Sequence, residues 1–238
     1  MKLVIVLLTL SSAIPVTLSA ETVEEIAGDI VFARGGQAKL ASIQTERLTG
    51  QVIAGERQGS FVMELKRPNK IRMEIVLDGS KVVEASEGTS GWTVEPGGSS
   101  PRKLNDSEAK QLAADMDIDG PFVDYQRKGT KIEMIDKEML GPSLVWKLKL
   151  TRKSGDVEYY CIETTGHFVL ARERTLDQNS SNVQFYSDFR RVEDVLFPFD
   201  TTSQSSGPQG TLEFKVEKLD VNAVIDDAEF TEPTKTSK

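Results

Sequence analysis

The 238-residue chain predicts a mainly β (α+β), single-domain protein, with antiparallel strands in series forming a barrel or sandwich and two helices added to it. Three observations carry this expectation. From Glu46 onward, short runs of alternating apolar and polar residues are separated by turn residues. Only two stretches have helical spacing, and no linker between the runs is long enough to force a domain boundary.

The chain opens with Lys2, the apolar run Leu3 to Leu10 and a small-residue stretch ending Leu18-Ser19-Ala20, the make-up of a secretory signal peptide. Residues 1–20 are therefore expected to be removed, leaving residues 21–232 as the domain and residues 233–238 as a flexible tail. That apolar run is too short to span a bilayer, and no later segment approaches the roughly 20 apolar residues of a membrane helix. No cysteine follows the run, so a lipid-attachment site is not expected and the mature chain should diffuse freely.

The first helical stretch, Val23 to Leu40, carries Val23, Ile26, Ile30 and Val31 at helical spacing, and should break near Gly35-Gly36. The second starts at Asn105 as N-cap, with Glu108 three residues on as in a capping box, and runs through Leu112 to Met116. The clearest strand pair is a hairpin. Phe61, Met63 and Leu65 alternate with polar or outward residues, Pro68-Asn69 turns the chain, and Ile71, Met73, Ile75 and Leu77 alternate again. Further period-two runs lie at Thr130 to Glu138, Leu144 to Leu150, Val157 to Ile162, His167 to Thr175, Val183 to Phe189 and Leu212 to Leu219. Thr201 to Gly210 and Thr231 to Lys238 read as solvated loop and tail.

Net charge is −8, and removal of Lys2 with the leader moves it to −9, a balance that argues against nucleic acid as a partner. Cys161 is the single cysteine, so no internal disulfide forms and the fold must rest on packing. Catalysis finds little support. His167 is the only histidine, Asp226-Asp227 are adjacent carboxylates near the chain end, and no nucleotide loop or cofactor fingerprint occurs, so no enzyme activity and no cofactor are expected. Asp115-Met116-Asp117-Ile118-Asp119-Gly120 imitates the start of a calcium loop, but Gln126 stands where the bidentate glutamate belongs. The segment reads as a helix end running into a loop, and no metal site is expected.

The ordered pieces Lys66-Arg67-Pro68-Asn69 and Ser86-Glu87-Gly88-Thr89-Ser90-Gly91-Trp92 with Pro96 resemble the LolA-type outer-membrane lipoprotein-sorting family, with Glu87 in place of the usual aspartate. Gly120 to Tyr125, Tyr186 to Arg190 with Leu196-Phe197-Pro198, and Ile225 to Phe230 extend the resemblance over nearly all of the mature chain. It implies an incomplete antiparallel β-barrel whose helices cap an apolar concavity that holds acyl chains of a lipid or lipoprotein. It also implies a periplasmic, monomeric carrier working between an inner-membrane donor and an outer-membrane acceptor protein. The family includes sensors that use the same half-barrel to regulate envelope stress signalling through a protein partner, which is the alternative role.

On this reading Phe61, Met63, Leu65, Ile71, Met73, Ile75, Leu77, Trp92, Leu112 and Met116 are the candidate lipid-binding residues, with methionine giving a surface that adapts to mixed chains. For the strand residues, periodicity alone favours an ordinary core over a ligand cavity. Arg67 is the candidate lid latch, expected to hold the Asn105 to Met116 helix. By position alone it is a basic residue in a hairpin turn; the resemblance assigns it the latch.

Overall fold

The period-two runs become strands because apolar residues at alternate positions share one side of a pleated sheet. All but Leu144 and those of the edge strand Lys131–Leu140 are largely buried there. In the computed structural model, which describes residues 21–88, 90–98, 100–113, 115–175, 181–206 and 210–233, these strands form one sheet. The expected signal peptide and residues 234–238 of the expected tail lie outside the described residues.

Two short helices come first, α1 (Val23–Arg34) and α2 (Gln37–Ser42). Six strands follow: β1 (Thr45–Ala54), β2 (Arg57–Lys66), β3 (Lys70–Leu77), β4 (Ser80–Glu87), β5 (Ser90–Val94) and β6 (Arg102–Lys103). After α3 (Asp106–Ala113) come β7 (Lys131–Leu140), β8 (Ser143–Thr151), β9 (Val157–Glu163), β10 (Val169–Thr175), β11 (Ser181–Val192), β12 (Val195–Ser205) and β13 (Thr211–Val221). The 13 strands stand in the order β6-β5-β4-β3-β2-β1-β13-β12-β11-β10-β9-β8-β7, every described pairing antiparallel. The sheet does not close, because β6 and β7 are its two free edges. The chain leaves one edge at β6 and re-enters at the other at β7. The segment between them, α3 and the loop to residue 130, must therefore cross the open side.

Local chemistry sets the helix limits. Thr22 Oγ1 accepts from the Glu25 amide at 3.2 Å while Glu25 Oε2 accepts from the Thr22 amide at 2.8 Å, a reciprocal cap on α1. The expected break falls at Gly35 (φ 131°) and Gly36 (φ 85°), and a Cβ on Gly35 would stand 2.8 Å from the Asp194 carbonyl oxygen. Asn105 and Glu108 cap α3 in the same reciprocal way, at 3.0 and 2.8 Å. This helix ends at Ala113, so Met116 lies in the loop beyond it rather than on the expected helix.

The hairpin register pairs Phe61 with Ile75, Met63 with Met73 and Leu65 with Ile71 across the Arg67-Pro68-Asn69 turn. One correction concerns Thr201 to Ser205, expected as loop. They continue β12, where Thr201 pairs with both Tyr186 and Phe214. A β-branched residue between two ladders overrides its polar composition.

Burial is arranged in three groups. α1 sets Ile26, Ala27 and Ile30 on Trp146, Leu148, Leu150, Tyr160 and Ile162 of β8 and β9. Leu40 of α2 and Ile43 at its C-cap pack with Leu65, Ile71, Leu112, Met116, Ile118 and the β12 residues Val195, Phe197 and Phe199. Val83, Ala85 and Trp92 form a small separate cluster.

Leu148 is fully buried whereas Phe32 is 78% exposed. Leu148→Ala is expected to cost about 2–5 kcal/mol in denaturant unfolding, and Phe32→Ala to stay within about 0.5 kcal/mol.

Candidate functional site

Directly paired residues of an antiparallel sheet share a face. Glu46 opposite Leu65, Leu48 opposite Met63, and the hairpin pairs just named therefore lie on one face together. That face lines a cavity of about 350 Å³, within the size range of small-molecule sites. Met73 on β3 and Tyr160 on β9 both reach it although six strands stand between theirs in the sheet, so the sheet curves around it. Its apolar wall comprises Leu48, Phe61, Met63, Leu65, Met73, Phe214 and Val216. Its cover is α1, through Ile30, Ala33 and Arg34, together with Ile118, Pro121 and Phe122 of the loop after α3.

Of the residues expected to bind lipid, Phe61, Met63, Leu65 and Met73 line this cavity. Ile71, Leu112 and Met116 are instead buried against one another in the cluster beside it. Ile75 and Leu77 share the cavity face by register, at the far end of β3, outside the lining. Trp92 requires correction. It pairs with Ala85, which pairs with Arg72 and so with Glu64, residues one step out of phase with the cavity face. Its Nε1 donates to the Phe230 carbonyl at 2.8 Å, tying the C-terminal segment to the opposite face. Gly91 takes the cavity-side position next to it, against the side chain of Leu104.

Arg67 is held on every side. Its Nε donates to the Ile43 carbonyl at 2.6 Å and its Nη2 to the Leu40 carbonyl at 3.1 Å. Its Nη2 and Nη1 also grip Asp119 bidentately at 2.6 and 2.8 Å. The partners are thus the last carbonyls around α2 and the loop after α3, not α3 itself as expected. Helix-end carbonyls lack intrahelical donors, which is why α2 receives the fork. The Arg67 hydrogen bonds hold the Asp119 carboxyl below its ordinary range.

The calcium-like segment is explained by the same geometry. Asp115 meets Arg172 at 2.7 Å and Arg174 at 3.1 Å, Asp117 meets Lys128 at 2.6 Å, and Asp119 meets Arg67. Each carboxylate turns to a different cation instead of converging on one point. Arg34 adds bonds to the carbonyls of Asp119 at 2.7 Å and Ile118 at 3.4 Å. His167 is not isolated either: Asp29 Oδ2 lies 3.5 Å from its Nε2, and ligand atoms of Glu21, Asp29 and His167 fall within 4.8 Å of one another. Glu21 and Asp29 are exposed, as acidic groups without a metal commonly are.

The sequence reading missed the polar half of the cavity. Tyr160, Arg172, Gln184 and Tyr186 line the wall opposite the apolar strands, with Arg152 beside them. Arg172 and Arg152 bond Glu158 at 2.7 and 2.8 Å, and the Tyr160 hydroxyl donates to Glu158 at 2.9 Å. Burial works against the Glu158 charge, yet Arg172 and Arg152 keep its carboxyl below the ordinary value. Glu46, 6% exposed, also faces the cavity. A signal existed: Glu158 with Tyr160, and Arg172 with Arg174, occupy alternate positions on the face that should have been apolar.

No family model and no curated protein sequence matches the chain. Solved structures do. A domain of an outer membrane lipoprotein-sorting protein from Vibrio parahaemolyticus superposes with TM-score 0.57 at 11% identity over 87% of this chain and 95% of its own. A LolA superfamily protein from Nitrosomonas europaea superposes with TM-score 0.59 at 12% identity, over 90% and 99%. The fold is LolA-like. A DUF1329 family protein from Desulfovibrio piger has the same fold, with TM-score 0.57 at 13% identity over 89% and 98%. Identities this low establish the open half-barrel shared with LolA-like proteins, not the cargo.

Two outcomes follow from the geometry. Arg67→Leu should remain folded but increase amide hydrogen exchange in residues 37–42 and 115–122, because charge-assisted bonds of about 1.5–3 kcal/mol are lost there. Unchanged exchange would reduce Arg67 to a turn residue. Millimolar calcium should leave the melting temperature unchanged, since its three aspartates are already paired with cations. A rise abolished by Asp117→Ala would show a calcium site.

Proposed function

We propose that this protein is a secreted periplasmic carrier that takes acyl chains of a lipid or lipoprotein into the cavity and ferries them toward the outer membrane. The observation that carries the reading is the cavity itself, whose apolar wall lies under a cover tied down at Arg67 and Asp119. Binding would draw on transfer of acyl surface from water, about 0.8 kcal/mol for each methylene buried. Phe61, Met63, Leu65 and Met73 would contact the chain directly, with Met63 and Met73 adapting to its shape. Ile71, Leu112 and Met116 would support that wall from behind. Arg67 would act as the latch, favouring the closed, empty state and so promoting release to an acceptor.

Removal of residues 1–20 would free the chain to diffuse as a monomer between an inner-membrane donor and an outer-membrane acceptor. The LolA-like names of the neighbours support this role. The second reading is a periplasmic sensor that binds the same acyl chains and then engages a protein. It is favoured by the free edge β7, where Ile135 and Met139 are 51% and 61% exposed.

The test is displacement of an uncharged naphthylamine probe by acyl lipids. Met63→Asp should weaken binding at least tenfold without unfolding the domain, since it sets a charge in the apolar wall. Full binding by a folded set of such variants at Phe61, Met63 and Met73 would overturn the carrier. Co-purification of lipid without a stable protein partner supports the carrier, and retention of such a partner supports the sensor.

A further inference from the structure

The polar groups around the cavity are not equivalent. On the β9–β11 wall the charged groups hold one another: Arg172 meets both Asp115 and Glu158, Arg174 meets Asp115, and Arg152 and Tyr160 meet Glu158. Glu46 differs. It is 94% buried, it lines the cavity, and its Oε1 has no hydrogen-bond partner. Three charged groups act on it: Arg34 from α1, Arg67 from the β2–β3 turn, and Asp119 from the loop after α3. Both arginines direct their donors elsewhere, Arg34 to the carbonyls of Ile118 and Asp119 and Arg67 to Ile43, Leu40 and Asp119. Across the strands Glu46 faces only Leu65 and Val221. A buried acceptor open to the cavity is therefore waiting for a donor that the protein does not supply.

We infer that Glu46 selects the polar end of the amphiphile in this cavity, accepting hydrogen bonds from an uncharged, hydroxyl-bearing head group and disfavouring an anionic one. The inference rests on the carrier reading and deepens it. Leu48, two residues along the same face, and Met63 opposite it begin the apolar wall, so a head at Glu46 directs its chain onto Phe61, Met63 and Met73. Burial pushes the Glu46 carboxyl up to about 7, against the opposing pull of Arg34 and Arg67. A hydroxyl can donate to the ionised form at no proton cost. An anion next to Glu46 requires the carboxyl to be neutral first. At pH 8 that requirement weakens binding about tenfold, and at pH 6 the penalty nearly vanishes.

The experiment uses the mature chain and N-phenyl-1-naphthylamine as the reporter. It is displaced by 1-monolauroylglycerol or by dodecanesulfonate, both below micelle concentration, at pH 6 and pH 8. The two share a chain length, and the sulfonate stays ionised throughout. The glycerol ester is expected to displace the probe equally at both values, and the sulfonate about tenfold less well at pH 8. Glu46→Gln should abolish that difference, which assigns the titration to Glu46 rather than to His167, also in the lining. A sulfonate affinity independent of pH in the wild type overturns the inference, and so does a pH dependence that survives Glu46→Gln. If Glu46→Gln fails to fold, His167→Gln is the second variant: a tenfold difference that survives it keeps the titration on Glu46, and its loss overturns the inference. If neither lipid displaces the probe at either pH, the carrier reading falls and this inference with it.

Discussion

Closure of this half-barrel depends on the ion pairs that two aspartates, Asp115 and Asp119, make across its open side. The 13-strand sheet has two free edges, so hydrogen bonding between strands cannot seal it. What spans the gap is the segment from β6 to β7. Asp115 and Asp119 tie it to Arg172 and Arg67 on separate parts of the sheet, while Asp117 braces it internally at Lys128. Side-chain exposure in the Arg67–Asp119 pair is 24% and 20%, low enough that solvent screens it less than the surface pairs elsewhere on the chain. Bidentate geometry fixes direction as well as distance. A cover held at a few defined points can separate from the sheet by breaking them, whereas a cover fused by strand pairing could not.

The same arrangement divides the cavity. β1, β2, β3 and β13 supply only aromatic and aliphatic side chains beyond Glu46, while β9 to β11 set Tyr160, Arg172, Gln184 and Tyr186 beside the apolar Val169 and Phe189, with Arg172 held by Asp115 and Glu158. Asp115 belongs to both systems. It anchors the cover and neutralises the Arg172 side of the wall, so movement of the cover changes the charge balance of the cavity lining. Removing one member of such a buried network leaves an uncompensated charge, a larger disturbance than loss of the pair would be.

Much of this was legible in the sequence, and the failures have physical reasons. The Phe61 to Leu77 hairpin was readable because period two, a proline turn and strong β formers agree with one another. The break at Gly35-Gly36 and the Asn105 cap were readable because each is fixed within a few residues. Trp92 was misplaced because a one-residue shift in phase exchanges faces, and Ser86 to Trp92 offers too short an alternation to set the phase. The strand character of Thr201 to Ser205 was hidden by composition. Arg67 was singled out, but its partners on α2 and at Asp119 come from sequence separations of 27 and 52 residues that no local pattern encodes. The polar cavity wall was legible only to a reader prepared to treat Arg172 and Arg174 as inward-facing.

The least legible feature, Glu46, also shows how the site and its cover are joined. Arg34 and Arg67 stand beside it, yet both are occupied by carbonyls and by Asp119, all parts of the cover or its hinge. While the cover is shut, these guanidinium groups lower the Glu46 proton affinity only through space, and burial prevails. Lifting the loop that carries Asp119 frees donors on both arginines and admits water, and each change favours the ionised carboxylate. The charge state of Glu46 is therefore coupled to cover position by geometry already present in the closed form. By linkage, conditions that ionise Glu46 favour an open cover, and a head group that satisfies Glu46 in the closed form favours closure over a loaded cavity.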